Sequence, residues 1–116
     1  MVCILEQMNG VTHQLAEERS LALHREVARR LRDRPELLES ARERVRSWLE
    51  TGSVSVFWTD AWSEVLDGTV EEVIARITDP SEHSRDLRQT SPFAGILDPR
   101  VRWEVLRRLS GRAASV

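Results

Sequence analysis

Residues 33–50 read DRPELLESARERVRSWLE, and this stretch decides the fold. Asp33 stands two positions before Pro35. Proline suits a first helical turn, because the N–H it lacks is one that a helix start leaves unbonded anyway. Glu36 then faces the positive end of the helix dipole. Behind that start, Leu38, Ala41, Val45, Trp48 and Leu49 recur at three- and four-residue steps. That spacing predicts an amphipathic helix over about Pro35–Glu50. Glu39, Arg42, Glu43 and Arg46 take its wet side, with glutamates ahead of arginines at helical spacing, each pair contributing ~0.3–0.5 kcal/mol. Thr51-Gly52 supplies the stop.

The same start grammar recurs further on. Asp79-Pro80-Ser81-Glu82 opens a short helix over about Pro80–Gln89, with Leu87 as its only strong apolar anchor. Asp98-Pro99 opens another over about Pro99–Leu109, with Trp103, Val105, Leu106 and Leu109 as candidate core. Thr69 and Glu72 form a capping box ahead of Val70, Val73, Ile74 and Ile77. Upstream, Leu21, Ala28 and Leu31, flanked by Leu23 and Val27, predict a first helix over about Leu15–Arg32. Trp58, Trp62, Val65 and Leu66 predict a third over about Thr59–Leu66. In Thr90–Leu97, Pro92 and Gly95 break helix while Phe93, Ile96 and Leu97 turn inward. Only Ser53–Phe57 (SVSVF) alternates as a strand would. With no second strand to pair its backbone, it is expected as an extended connector. The fold expected is all-α: a single small domain of five or six short helices. Residues 1–14 form a loose N-terminal arm, 15–110 the helical domain and 111–116 a frayed basic tail.

Composition narrows the function classes. A chain of 116 residues with 41% apolar side chains can build a core without a metal or a disulfide. Its 17 basic and 19 acidic groups nearly balance, which argues against a general nucleic-acid coat. A lone cysteine, Cys3, excludes an internal disulfide and a thiolate metal cluster. No basic n-region precedes the short apolar run MVCIL, and no stretch is apolar enough to cross a bilayer, so a cytoplasmic protein without membrane contact is expected. Every basic residue is arginine, and there is no tyrosine. The guanidinium fork pairs with carboxylates and stacks on rings, so the surface is rich in interface-forming groups. Charge is also segregated. Residues 56–98 carry three arginines against nine acids, and residues 99–116 carry five arginines against Glu104.

Site chemistry is thin. Among His13, His24 and His83, none stands at a metal-ligand spacing, so no metal or cofactor is expected. His24 falls in the apolar stripe of the first helix and is expected as a packed residue, and His83 as a solvated one. Nothing near Cys3 would lower its pKa toward a thiolate. The acid pairs Glu17-Glu18, Glu71-Glu72 and Asp60 with Glu64 read as helix-start and solvated charges, because no pocket splits their environments. No G-x-S-x-G elbow or phosphate-binding glycine loop occurs, so the chain is not expected to be an enzyme.

Interface residues are the remaining signal. Arg25, Arg29 and Arg32 share one strip of the first helix; Arg100, Arg107 and Arg108 make the last helix basic. Trp48, Trp58 and Trp62 cluster around one turn, and the bland reading is that they form one side of the core. Tryptophan and arginine are also the residues that most often anchor interfaces. Arg25, Arg29, Arg32, Trp58, Trp62, Arg100, Trp103, Arg107 and Arg108 are therefore the candidate partner contacts. A DNA-binding regulator using the first helix or the basic last helix is the alternative. A helix-turn-helix over Asp60–Asp79 is disfavoured, since its second helix would present Glu71 and Glu72 to phosphates.

Arg19–Leu31 (RSLALHREVARRL) and Arg88–Arg107 (RQTSPFAGILDPRVRWEVLR) resemble short helical bacterial proteins of toxin–antitoxin-type modules. The resemblance implies an antitoxin-like protein that neutralises or regulates a partner protein encoded by the neighbouring gene. It transfers no functional residues. A homodimer is a further arrangement open to such a protein.

Overall fold

The computed structural model describes the backbone of residues 2–93 and 95–114, and the side chains of residues 14–93 and 95–110. Six helices account for most of these residues: α1 (Val2–Asp33), α2 (Leu37–Thr51), α3 (Val56–Leu66), α4 (Val70–Ile77), α5 (Glu82–Gln89) and α6 (Pro99–Ala114). Among the described residues there is no strand, so the chain is a small all-α domain. No helix of the described residues is long and apolar enough to cross a membrane.

Helix α1 is the spine. It touches α2, α4, α5 and α6, while α3 closes on α2, α4 and α5. It contributes Val27, Ala28 and Leu31 to the core; α2 adds Leu38, Ala41 and Val45, and α4 adds Val73, Ile74 and Ile77. Trp62, Val65 and Leu66 of α3, Leu87 of α5 and Phe93 complete it. These are the periodic positions of the sequence, buried because each helix presents one apolar stripe and has water on its other side.

Helix boundaries carry the differences from expectation. Helix α1 spans 32 residues and begins before Leu15, so it is not short. A glycine such as Gly10 costs a helix only about 1 kcal/mol, which does not force a stop. Apart from Gln14, the expected arm over 1–14 lies outside the described side chains, as does Cys3. The expected tail over 111–116 lies outside them too, although the α6 backbone runs on to Ala114. Helix α2 is entered through a tight turn, in which the Leu37 and Leu38 amides donate to the Arg34 and Pro35 carbonyls at 3.1 Å. It ends on Gly52, whose φ of 65° lets its N–H reach the Trp48 carbonyl. The SVSVF connector is shorter than expected. Ser55 accepts from the Trp58 N–H at 3.5 Å and starts α3 at Val56. At α4 the Thr69 hydroxyl accepts from the Glu72 N–H at 3.2 Å and donates to the Glu72 carboxylate at 3.1 Å, so the expected cap is present. Helix α5 starts at Glu82, with Ser81 as its cap.

Two arginines finish helices other than their own. Arg42 of α2 donates from Nε to the Leu66 carbonyl at the end of α3, at 3.0 Å. Arg88 of α5 donates from Nη1 to the Ile77 and Asp79 carbonyls at the end of α4, at 3.2 and 2.7 Å. Carbonyls at a helix end lack intrahelical partners, and these guanidinium groups supply them.

Candidate functional site

The outward face of α6 gathers the tryptophan and most arginines expected at the C-terminal end. Trp103 is not core: its side chain is 60% exposed. The Arg107 guanidinium lies over its ring, 5.1 Å from the centroid, in cation–π contact. Arg100, one turn earlier, is exposed beside it at the i, i+3, i+7 spacing of one helical face. Val105, Leu106 and Leu109 are half-buried on the other side, against α1.

Where α1 and α6 meet, Arg25, Arg29 and Arg108 line one depression of about 290 Å³. Glu18 and Glu26 share it, and Glu26 pairs with Arg29 at 3.3 Å and with Arg30 at 3.7 Å. Arg32 is exposed on α1 but does not line it. The structure therefore brings together three of the expected arginines from two distant segments, with acids interleaved.

The tryptophans near the α2–α3 turn behave differently. Trp62 is fully buried, and its Nε1–H donates to the Leu87 carbonyl at 3.1 Å. It meets Phe93 edge-on at 5.9 Å. Trp62 is thus a core residue and not a partner contact in this fold, because its ring has no exposed face. Trp58 is half-buried and stacks edge-on with Phe57 at 4.9 Å. The residues exposed here are Val56 at 70% and Phe57 at 69%, which the sequence does not single out, and Leu49 at 57%, which it places on the apolar face of the second helix. Phe57 borders an acidic depression of about 540 Å³ lined by Asp60, Glu64 and Glu72.

His24 is buried, as its place in the apolar stripe predicts. Nδ1 lies 2.7 Å from the Ser20 carbonyl, an acceptor only, so Nδ1 carries the proton. Nε2 then accepts from the Ser91 hydroxyl at 2.8 Å, and Ser91 Oγ accepts from the Phe93 N–H at 3.1 Å. A serine and a histidine at this distance have the spacing of a nucleophile and its base. Burial, however, lowers the His24 pKa to about 4, far below the neutral range in which a general base works well. The imidazole is oriented by a carbonyl instead of a carboxylate. The pair pins the 90s loop to α1. No group of three metal-ligating side chains comes together among the described residues, and His83 is exposed.

No family model, curated protein or solved structure matches the chain.

Proposed function

We propose that the chain is a non-enzymatic interaction module, antitoxin-like, that binds and regulates a partner protein through the outward face of α6. One observation carries this reading: Trp103, 60% exposed, stands beneath the Arg107 guanidinium on a basic helix face. A solvated tryptophan costs apolar exposure that a partner removes, and indole and guanidinium groups are the usual centres of binding energy. The partner surface that fits is an apolar socket rimmed with carboxylates. Arg100 and Arg107 would face those carboxylates, giving speed and specificity to the encounter, while Arg108 pairs with Glu104 at 4.0 Å beside α1.

Co-expression with the product of the adjacent gene tests it. A stable complex that is lost in Trp103→Ala supports the reading. Free protein at low salt, with the neighbour present, overturns it. The same basic face keeps a DNA-binding regulator as second reading. That reading requires a complex with DNA that weakens steeply with salt and is abolished by Arg107→Glu/Arg108→Glu.

A further inference from the structure

Arg88 is a charged side chain 6% exposed, and among the described residues no carboxylate lies within ion-pair distance of it. Burial, and then the neighbouring Arg85, push its pKa down, against the weaker pull of the Asp79 and Glu17 carboxylates. A guanidinium carries five N–H donors, and both of those on Nη1 are spent on the Ile77 and Asp79 carbonyls. That leaves Nε–H and the two Nη2–H groups, the edge that grips a carboxylate or phosphate with two parallel hydrogen bonds. Thr90 Oγ1 is the only sealed and unpartnered side-chain polar atom among the described residues. The free edge of Arg88 is therefore not sealed off, although the residue is nearly buried. Arg88 lines a pocket of about 390 Å³ between α1, the end of α5, the 90s loop and α6.

The rest of that pocket has one sign of charge. Arg19 of α1 and Arg102 of α6 stand on its rim, both exposed, and Ser20, Gln89 and Ser91 add uncharged polar groups. No acidic side chain lines it; Glu17 lies in the adjoining depression, which Arg88 also lines, and is engaged there by Arg85 at 3.2 Å. Its apolar wall is Leu23, Val27, Phe93 and Leu97. We propose that this pocket binds a small organic anion, with its carboxylate or phosphate head on the Nε/Nη2 edge of Arg88 and its apolar body against Leu23, Phe93 and Leu97. The head group supplies a direct ion pair, where the Asp79 and Glu17 carboxylates act on Arg88 only from beyond ion-pair distance. A concave, mostly apolar site with a few convergent polar groups is the usual form of a small-molecule site.

Phenyl phosphate and phenylacetate are the probes, with inorganic phosphate and phenol as the two halves tested apart. Backbone amide shifts of Gln89 and Ser91 are followed by NMR. Saturable shifts with phenyl phosphate or phenylacetate support the site, and the tighter of the two names its head group. Arg19→Ala/Arg102→Ala changes only exposed residues and should weaken that binding about tenfold or more. Arg88→Lys keeps the charge, loses the fork and should weaken it further, with circular dichroism reporting that α4 and α5 persist. Shifts with phenol equal to those with the anions, affinity unchanged in Arg19→Ala/Arg102→Ala, or no shift with any probe would each overturn the proposal.

Discussion

His24 and Ser91 lie 67 positions apart in the chain and are joined by a hydrogen bond of 2.8 Å between Nε2 and Oγ. With Ser91 as donor it exists only while the imidazole is neutral; a doubly protonated ring has no lone pair at Nε2 and would have to donate to the hydroxyl instead.

The pair makes stability depend on pH in a defined window. Burial lowers the His24 pKa to about 4 in the folded chain, against 6.5 when exposed. Between those values the unfolded chain binds a proton that the folded chain refuses, so stability is full above about pH 7 and falls as pH drops toward 4. The loss over the whole window is about 3 kcal/mol. Urea midpoints measured from pH 7.5 downward should track it. In His24→Gln the fall between pH 6.5 and 5 should largely vanish; a slope that persists there would assign the effect to other groups.

Trp62 makes a second fixed point, since it is fully buried and hydrogen-bonded to the Leu87 carbonyl. Trp62→Phe removes the indole N–H, leaves a void and leaves the Leu87 carbonyl with only the Thr90 N–H as donor, at 3.2 Å. The expected cost is about 2–3 kcal/mol. Trp58→Phe, at a half-buried ring, should cost clearly less. Equal losses in denaturant unfolding would contradict the assignment of Trp62 to the centre of the core.

Gly52 ends α2 with φ at 65°, and a Cβ placed there would meet nothing within 4 Å. Gly52→Ala therefore tests backbone strain without steric contact. The expected cost is about 1 kcal/mol, or a melting point lower by roughly 4 °C. Gly52→Asn should recover part of that, since asparagine tolerates the left-handed region.

Local signals were legible in the sequence and tertiary ones were not. The Asp-Pro starts, the Thr69 cap and the stripes Leu38-Ala41-Val45 and Val73-Ile74-Ile77 act within a few residues, and each reads directly onto a helix and its buried face. Leu49 fits the same period as Val45 yet is exposed, because no helix covers the end of that stripe. The alternation of SVSVF hid the Ser55 cap, so the start of α3 and the exposure of Val56 and Phe57 were missed. Arg88 sits in EHSRDLRQ, which reads as solvated apart from Leu87. Only the arrival of two carbonyls from the end of α4 makes its burial tolerable. The pocket it lines draws on four separate segments, and no local spacing announces it.

Trp103 separates folding from binding. At 60% exposure its removal takes little from the core, so Trp103→Ala should leave the unfolding free energy within about 0.5 kcal/mol. If α6 presents the ring to a partner, the same change should cost about 2 kcal/mol or more of affinity, near thirtyfold in Kd. Arg107 stacks on that ring, so Arg107→Ala and Trp103→Ala should be less than additive in binding. Calorimetric titration of the single and double variants against the co-purified partner gives the coupling. A Trp103→Ala protein that unfolds early would instead return this ring to a structural role, and full additivity would mean that the two side chains meet the partner independently.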